Sequence, residues 1–164
     1  MRYIMNQVLT KSAQSVQEAL RQKGLVCNVI EMPNSTRTAQ DAALAIGCNI
    51  SQIVKSLIFK TKDTNKPVLI LASGPNRVNE KTIESYLQEK LVKADADFTK
   101  EITGFAIGGI PPIGHKQVIE LIFIDEDLLK FDSVWAAAGT PNAVFNLNSE
   151  DLLEMTNGKA ISIV

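Results

Sequence analysis

Ile53-Val-Lys-Ser-Leu-Ile-Phe-Lys60, followed after a short polar link by Val68-Leu-Ile-Leu-Ala72, is the stretch that sets the architecture. Both runs are rich in β-branched and aliphatic residues, and Thr61 to Pro67 between them carries turn formers, so the pair reads as a hairpin at the centre of a sheet. Alternation puts Ile53, Lys55, Leu57 and Phe59 on one face of the first strand, and Val54, Ser56, Ile58 and Lys60 on the other. Lys55 interrupts an otherwise apolar face. A buried ammonium without a partner is costly, so Lys55 must snorkel to the edge, pair with a carboxylate, or line a pocket that receives an anion.

Outward from the hairpin, helices and strands alternate irregularly. Ser12 to Lys23 is an amphipathic helix with Ser12 as candidate N-cap and Gly24 past its end, and Val26 to Glu31 follows as a strand. Pro33 to Thr36 breaks it, and Thr38 with Asp41 resembles a capping box opening an alanine-rich helix that ends near Gly47. Downstream, Gly74 to Val78 is a loop, Asn79 caps a helix through Gln88, and Asp97 to Ile102 is a short helix. The remaining expectations are a strand at Val118 to Asp125, a helical turn at Glu126 to Lys130, strands at Val134 to Ala138 and Ala143 to Leu147 joined by the Gly139 to Asn142 turn, a helix from Ser149 closed by Gly158, and a last strand at Ala160 to Val164. The inventory is a mixed α+β fold with a mainly antiparallel mixed sheet of about six or seven strands and surrounding helices, in one domain spanning residues 1–164.

Thr103-Gly-Phe-Ala-Ile-Gly-Gly-Ile-Pro-Pro-Ile-Gly-His115 holds four of the nine glycines, two of the six prolines, the only histidine and no charge. Gly108, Gly109 and Ile110 offer consecutive N–H groups, and Pro111 and Pro112 end the run. Such a segment is either a tight apolar turn or a cradle of main-chain donors for a carbonyl oxygen or phosphate.

The bulk numbers exclude several classes. The 164-residue chain is 45% hydrophobic with net charge −1, a globular composition without the strong basic excess of a duplex binder. Eight basic residues face four acidic ones between Lys55 and Lys93, and three face eleven between Asp95 and Glu154, so a basic surface for a few phosphates would lie in the middle segment. Met1 to Gln7 has no signal-peptide core and no window approaches a membrane span, which points to the cytoplasm. Two cysteines and one histidine suit neither a disulfide framework nor a zinc site, and neither a metal nor a cofactor is expected. Dinucleotide, NTP and serine-hydrolase motifs are missing.

Ile53-Val-Lys-Ser-Leu-Ile-Phe59, Thr103-Gly-x-x-x-Gly-Gly-Ile-x-Pro-x-Gly114 and the Gly139 turn occur in the order found in the YbaK family, aminoacyl-tRNA deacylases related to the editing domain inserted in bacterial prolyl-tRNA synthetases. The chain resembles that family over almost its whole length. The resemblance implies hydrolysis of the ester between a wrong amino acid and tRNA, chiefly proline tRNA, with Lys55 engaging the terminal adenosine or its phosphate and Gly108 and Gly109 beside the scissile carbonyl. On this reading the catalytic set is Lys55 with the donors Gly108, Gly109 and Ile110. Substrate contacts come from Thr38, His115 and the Gly139, Thr140, Pro141 and Asn142 turn, and no covalent intermediate is needed. His115 would orient water or act as general base, or would be a hydrogen-bonded support at the loop's end. The partner is the tRNA acceptor end, with an aminoacyl-tRNA synthetase as a further one and no membrane. Pro111, the Ala138-Gly-Thr-Pro-Asn142 turn and Val144 depart from members acting on cysteinyl-tRNA and argue against cysteine, leaving alanine, serine, threonine or a near relative. The alternatives are a non-catalytic module for a tRNA end or synthetase, and a pocket for a phosphorylated or acyl metabolite.

Overall fold

The anticipated hairpin is the centre of the sheet. Strand β2 (Ile53–Thr61) pairs antiparallel with β3 (Pro67–Ser73) in a register that sets Lys55 opposite Ala72 and Phe59 opposite Val68. The structure, a computed structural model, describes residues 8–164, so the expectation for Met1 to Gln7 lies outside the described residues. Around the hairpin are β1 (Ile30–Glu31), β4 (Leu91–Lys93), β5 (Leu121–Asp125), β6 (Ser133–Ala137), β7 (Ala143–Asn148) and β8 (Lys159–Ile161). The order is β1-β7-β6-β2-β3-β5-β8, with β4 on β2 as a side branch. The β1–β7, β2–β3, β2–β4 and β6–β7 pairs are antiparallel; β2–β6, β3–β5 and β5–β8 are parallel. The sheet is mixed, as expected, and among the described residues it has eight strands where about six or seven were expected.

Five helices accompany it among the described residues: α1 (Lys11–Gln22), α2 (Ala39–Ile46), α3 (Glu80–Leu87), α4 (Ala96–Thr103) and α5 (Ser149–Thr156). The two faces of β2 feed two cores. Val54 and Ile58 join Leu69 and Leu71 beneath α1, α4 and α5, whereas Leu57 and Phe59 join Ile70, Phe123 and Ile83 of α3. Lys55 therefore lies on the α3 face.

Several boundaries move for identifiable reasons. Thr10, not Ser12, is the N-cap of α1, its hydroxyl accepting from Ala13 N–H at 3.4 Å. Val26 to Val29 does not join a strand, because the Gln17 side chain takes its main chain instead: Gln17 Nε2 donates to Cys27 O and Val29 N–H donates to Gln17 Oε1, both at 2.8 Å. Asn79 occupies the N-cap position of α3 without a side-chain cap bond, and α5 starts at Ser149 as expected. Thr38 caps α2 through Asp41 N–H at 3.0 Å, and Gly47 closes that helix at φ 82°, as expected. No helix of the described residues is long and apolar enough to cross a membrane.

One detail of the sheet positions the site. On the edge of β2 away from β3, β6 pairs only with Ile53 and Val54, and β4 begins at Phe59. Ala94 N–H donates to Ile58 O at 3.3 Å and Lys62 N–H to Lys90 O at 2.8 Å, so even-numbered residues turn their peptide groups to this edge. The N–H and C=O of Ser56 consequently face a gap in the ladder.

Candidate active site

The gap in β2 is the floor of two adjoining clefts. The first, of about 390 Å³, is walled by Thr36 to Ala39 and Ala42 around the start of α2, by Trp135 to Ala137 of β6, and by Ile107, Gly108 and Ile110 of the glycine loop. The second, of about 310 Å³, lies toward Asn76, Arg77, Glu80, Lys93 and Thr99. Lys55, Ser56, Leu57, Ile107 and Ile110 line both and form the divide. Lys55 and the glycine loop, far apart in sequence, thus face one space.

Lys55 Nζ donates to Asn76 O at 2.6 Å, a neutral partner. Asn76 is itself held from below. Its Nδ2 donates to Asp125 Oδ2 at 2.8 Å and to Asp127 Oδ2 at 2.7 Å, and the buried Asp125 also accepts from Ser73 N–H and Asp127 N–H, each at 3.0 Å. Burial pulls the Lys55 pKa below the usual lysine range, the nearby Arg77 guanidinium adds to the fall, and Asp125 opposes it. Of the three options for this lysine, lining a pocket describes it best: it makes no ion pair within 4 Å among the described residues. The neighbouring Ser56 hydroxyl is buried without a hydrogen-bond partner, and native cores seldom leave such a group unexplained.

In the glycine loop, Gly109 N–H donates to Ala106 O at 3.2 Å, whereas the Gly108 and Ile110 amides have no hydrogen-bond acceptor among the described residues. Gly108 adopts φ 101°, open to glycine, and Arg37 packs over it: a Cβ there would come within 2.8 Å of Arg37 Cγ. Gly109 is glycine for another reason. A Cβ would meet Thr140 N and C at 2.9 Å, backbone against backbone, and Gly139 N–H donates to Gly109 O at 2.8 Å.

The Gly139 to Asn142 turn therefore braces the loop from outside the clefts. Pro141 O accepts from Thr36 N–H at 2.6 Å, and Asn142 Nδ2 donates to Met32 O at 3.0 Å, tying the 32–36 segment to the sheet. None of Gly139, Thr140, Pro141 or Asn142 lines either cleft, whereas Thr38 lines the first. His115 is also outside. One ring nitrogen, Nε2, lies 2.7 Å from Pro111 O, and since a carbonyl only accepts, that nitrogen carries the proton. Burial pulls its pKa down, which the bond to Pro111 partly offsets. His115 is thus a strut of the loop.

Sequence reasoning missed Arg37, Asn76, Ser56 and Asp125. Only Asn76, in a Gly-Pro-Asn turn, carried a local signal, and that signal was for a turn. Among the described residues no group of three or more His, Cys, Asp or Glu could hold a metal ion.

Fold and cleft together define the class: an α+β protein whose open-edged central strand and glycine loop face each other across a divided, lysine-bearing groove. The chain belongs to the aminoacyl-tRNA editing domain family, whose model matches residues 33–155. A solved structure described as that of a candidate trans-editing enzyme for prolyl tRNA synthetase is 41% identical, with a TM-score of 0.90 over 95% of this chain and 98% of that one. The uncharacterized protein YwhH of Bacillus subtilis is 30% identical over 148 residues, 90% of this chain and 93% of that protein. The proline–tRNA ligase of Limosilactobacillus fermentum is 36% identical over 89 residues, which span 52% of this chain and only 16% of the ligase.

Proposed function

We propose that the protein is a freestanding deacylase that removes a small non-cognate amino acid from mischarged proline tRNA, acting as one domain in the cytoplasm. The observation that carries this reading is the first cleft, a space of about 390 Å³ with mainly apolar walls that Lys55, Ser56, Gly108 and Ile110 all line.

Ester hydrolysis needs a place for the carbonyl, donors for the charge that develops on its oxygen, and a water held in line. On this reading the amides of Gly108 and Ile110 receive the oxyanion, and the bond from Gly139 N–H to Gly109 O holds the loop. Lys55 supplies the positive charge that holds the ribose-phosphate side of the ester, and the Ser56 peptide edge offers both a donor and an acceptor to the aminoacyl group. The substrate is already activated, so no protein nucleophile is required, and a hydroxyl of the terminal ribose can assist the water. Small walls such as Ala42, Ala136 and Ala137 favour a small side chain.

The test is a panel of proline tRNAs charged with alanine, serine, threonine and cysteine. Loss of at least one small-residue ester well above the buffer rate, with cysteine spared, is expected; no loss for any of them contradicts the proposal.

A further inference from the structure

The second cleft shares its floor with the first and, at the same formal charge of +2, is lined by four charged side chains where the first has two. Arg37 is the only charged residue of the first cleft besides Lys55, whereas Arg77 and Lys93 stand in the second with Lys55, against Glu80 alone. Arg77 and Lys93 are exposed, and neither enters an ion pair within 4 Å among the described residues. Strand pairing fixes Lys93 opposite Phe59, while Arg77 follows Asn76, whose carbonyl holds Lys55. Two cations are thus mounted on anchored backbone around one groove. Val78, Phe59, Ala94 and Ile107 supply apolar surface between them.

We infer that this second cleft seats the phosphodiester and nucleotide that precede the terminal adenosine, so that a single-stranded RNA 3′ end crosses the Lys55 divide with its aminoacyl end in the first cleft. The inference rests on the proposed function for the position of the ester. Burial and, after it, like-charge repulsion from Arg77 weaken Lys55's hold on its proton, and a phosphodiester beside the two cations relieves the repulsion. Backbone phosphate recognised by Lys and Arg beside apolar surface is the chemistry of sequence-tolerant single-strand binding.

The experiment compares the wild-type protein with the Arg77→Ala/Lys93→Ala double variant on two substrates, alanyl proline tRNA and the alanyl ester of adenosine, which lacks phosphate. For the tRNA, KM is expected to rise about tenfold or more with kcat within about twofold, and the log–log salt dependence of tRNA binding to become shallower by about 1.4, two cations at roughly 0.7 each. Hydrolysis of the adenosine ester should not change. An unaltered KM for the tRNA overturns the inference, and so does an equal loss on both substrates. If the wild-type protein hydrolyses neither, the proposed function fails, but the subsite is still read by Trp135 fluorescence with a cytidine-cytidine-adenosine trinucleotide. Trinucleotide binding that the double variant loses, and that inorganic phosphate does not displace at equal concentration, supports an RNA site. Binding retained by the variant, or matched by inorganic phosphate, overturns it.

Discussion

Asp125 touches neither cleft, yet its removal should be felt at Lys55. The side chain is 1% exposed and accepts three hydrogen bonds, from Ser73 N–H, Asn76 Nδ2 and Asp127 N–H. Asp125→Ala strands the Ser73 N–H, itself buried, whereas Asn76 keeps Asp127 Oδ2 and Asp127 N–H can turn to water. One orphaned buried donor costs about 1–3 kcal/mol, and losing charge-assisted bonds adds about as much again, giving roughly 2–6 kcal/mol. At about 2–4 °C per kcal/mol for a chain of this length, Tm should fall by roughly 4–24 °C. Asp125→Asn keeps the shape, retains part of the stability and removes the charge. Because that charge raises the Lys55 pKa against burial and Arg77, the Asn variant should let it fall further. Thermal melting reads the first effect and NMR titration of ¹³C-labelled lysine the second. An Asp125→Ala protein melting within about 2 °C of wild type, or a Lys55 in Asp125→Asn that titrates at higher pH, would refute the proposed Asp125–Asn76–Lys55 linkage.

Gly109→Ala places a Cβ 2.9 Å from the Thr140 backbone and should stretch the Gly139-to-Gly109 bond; overpacking of about 1–3 kcal/mol should lower Tm by roughly 2–12 °C and slow deacylation, and a wild-type melting curve with full activity would remove the bracing role of the turn. For His115 the folded pKa lies below its ordinary 6.5, so the neutral ring contributes stability in full above about pH 6.5 and loses it as pH falls through the lowered value. The difference in Tm between wild type and His115→Gln should therefore shrink between pH 7.5 and 5.5, while a constant difference would deny the coupling.

Most of the framework was legible in the sequence because local chemistry and tertiary packing agree there. The β2–β3 hairpin follows from alternation, Gly47 and Thr38 bound α2 as their caps dictate, and the Gly139 to Asn142 turn joins β6 to β7. Where the reading failed, a distant partner decided. Val26 to Val29 has strand composition, but Gln17 captures its main chain; Leu91 to Lys93 is too short to show a period and becomes a strand only against β2. The site divides the same way. Lys55 announced itself as a charge on an apolar face and the glycine loop by composition. By contrast, the Ser56 edge exists only because β6 diverges before β4 begins, and Asp125 reaches Lys55 through Asn76. Four expected turn contacts, Gly139 to Asn142, sit where they hold the 32–36 segment and the glycine loop, since proximity in a family motif does not reveal which side of a loop faces the ligand.

The proposed function turns on whether Lys55 and the glycine loop serve one reaction. Single-turnover hydrolysis of alanyl proline tRNA by wild type and Lys55→Ala, with Tm measured on both, tests it most directly. The account predicts ester loss by the wild-type protein and a fall of about 10²-fold or more in the variant, at a Tm equal to or above that of wild type because a partly buried cation has been removed. An unchanged rate in a folded Lys55→Ala protein, or no hydrolysis by the wild type, would contradict it.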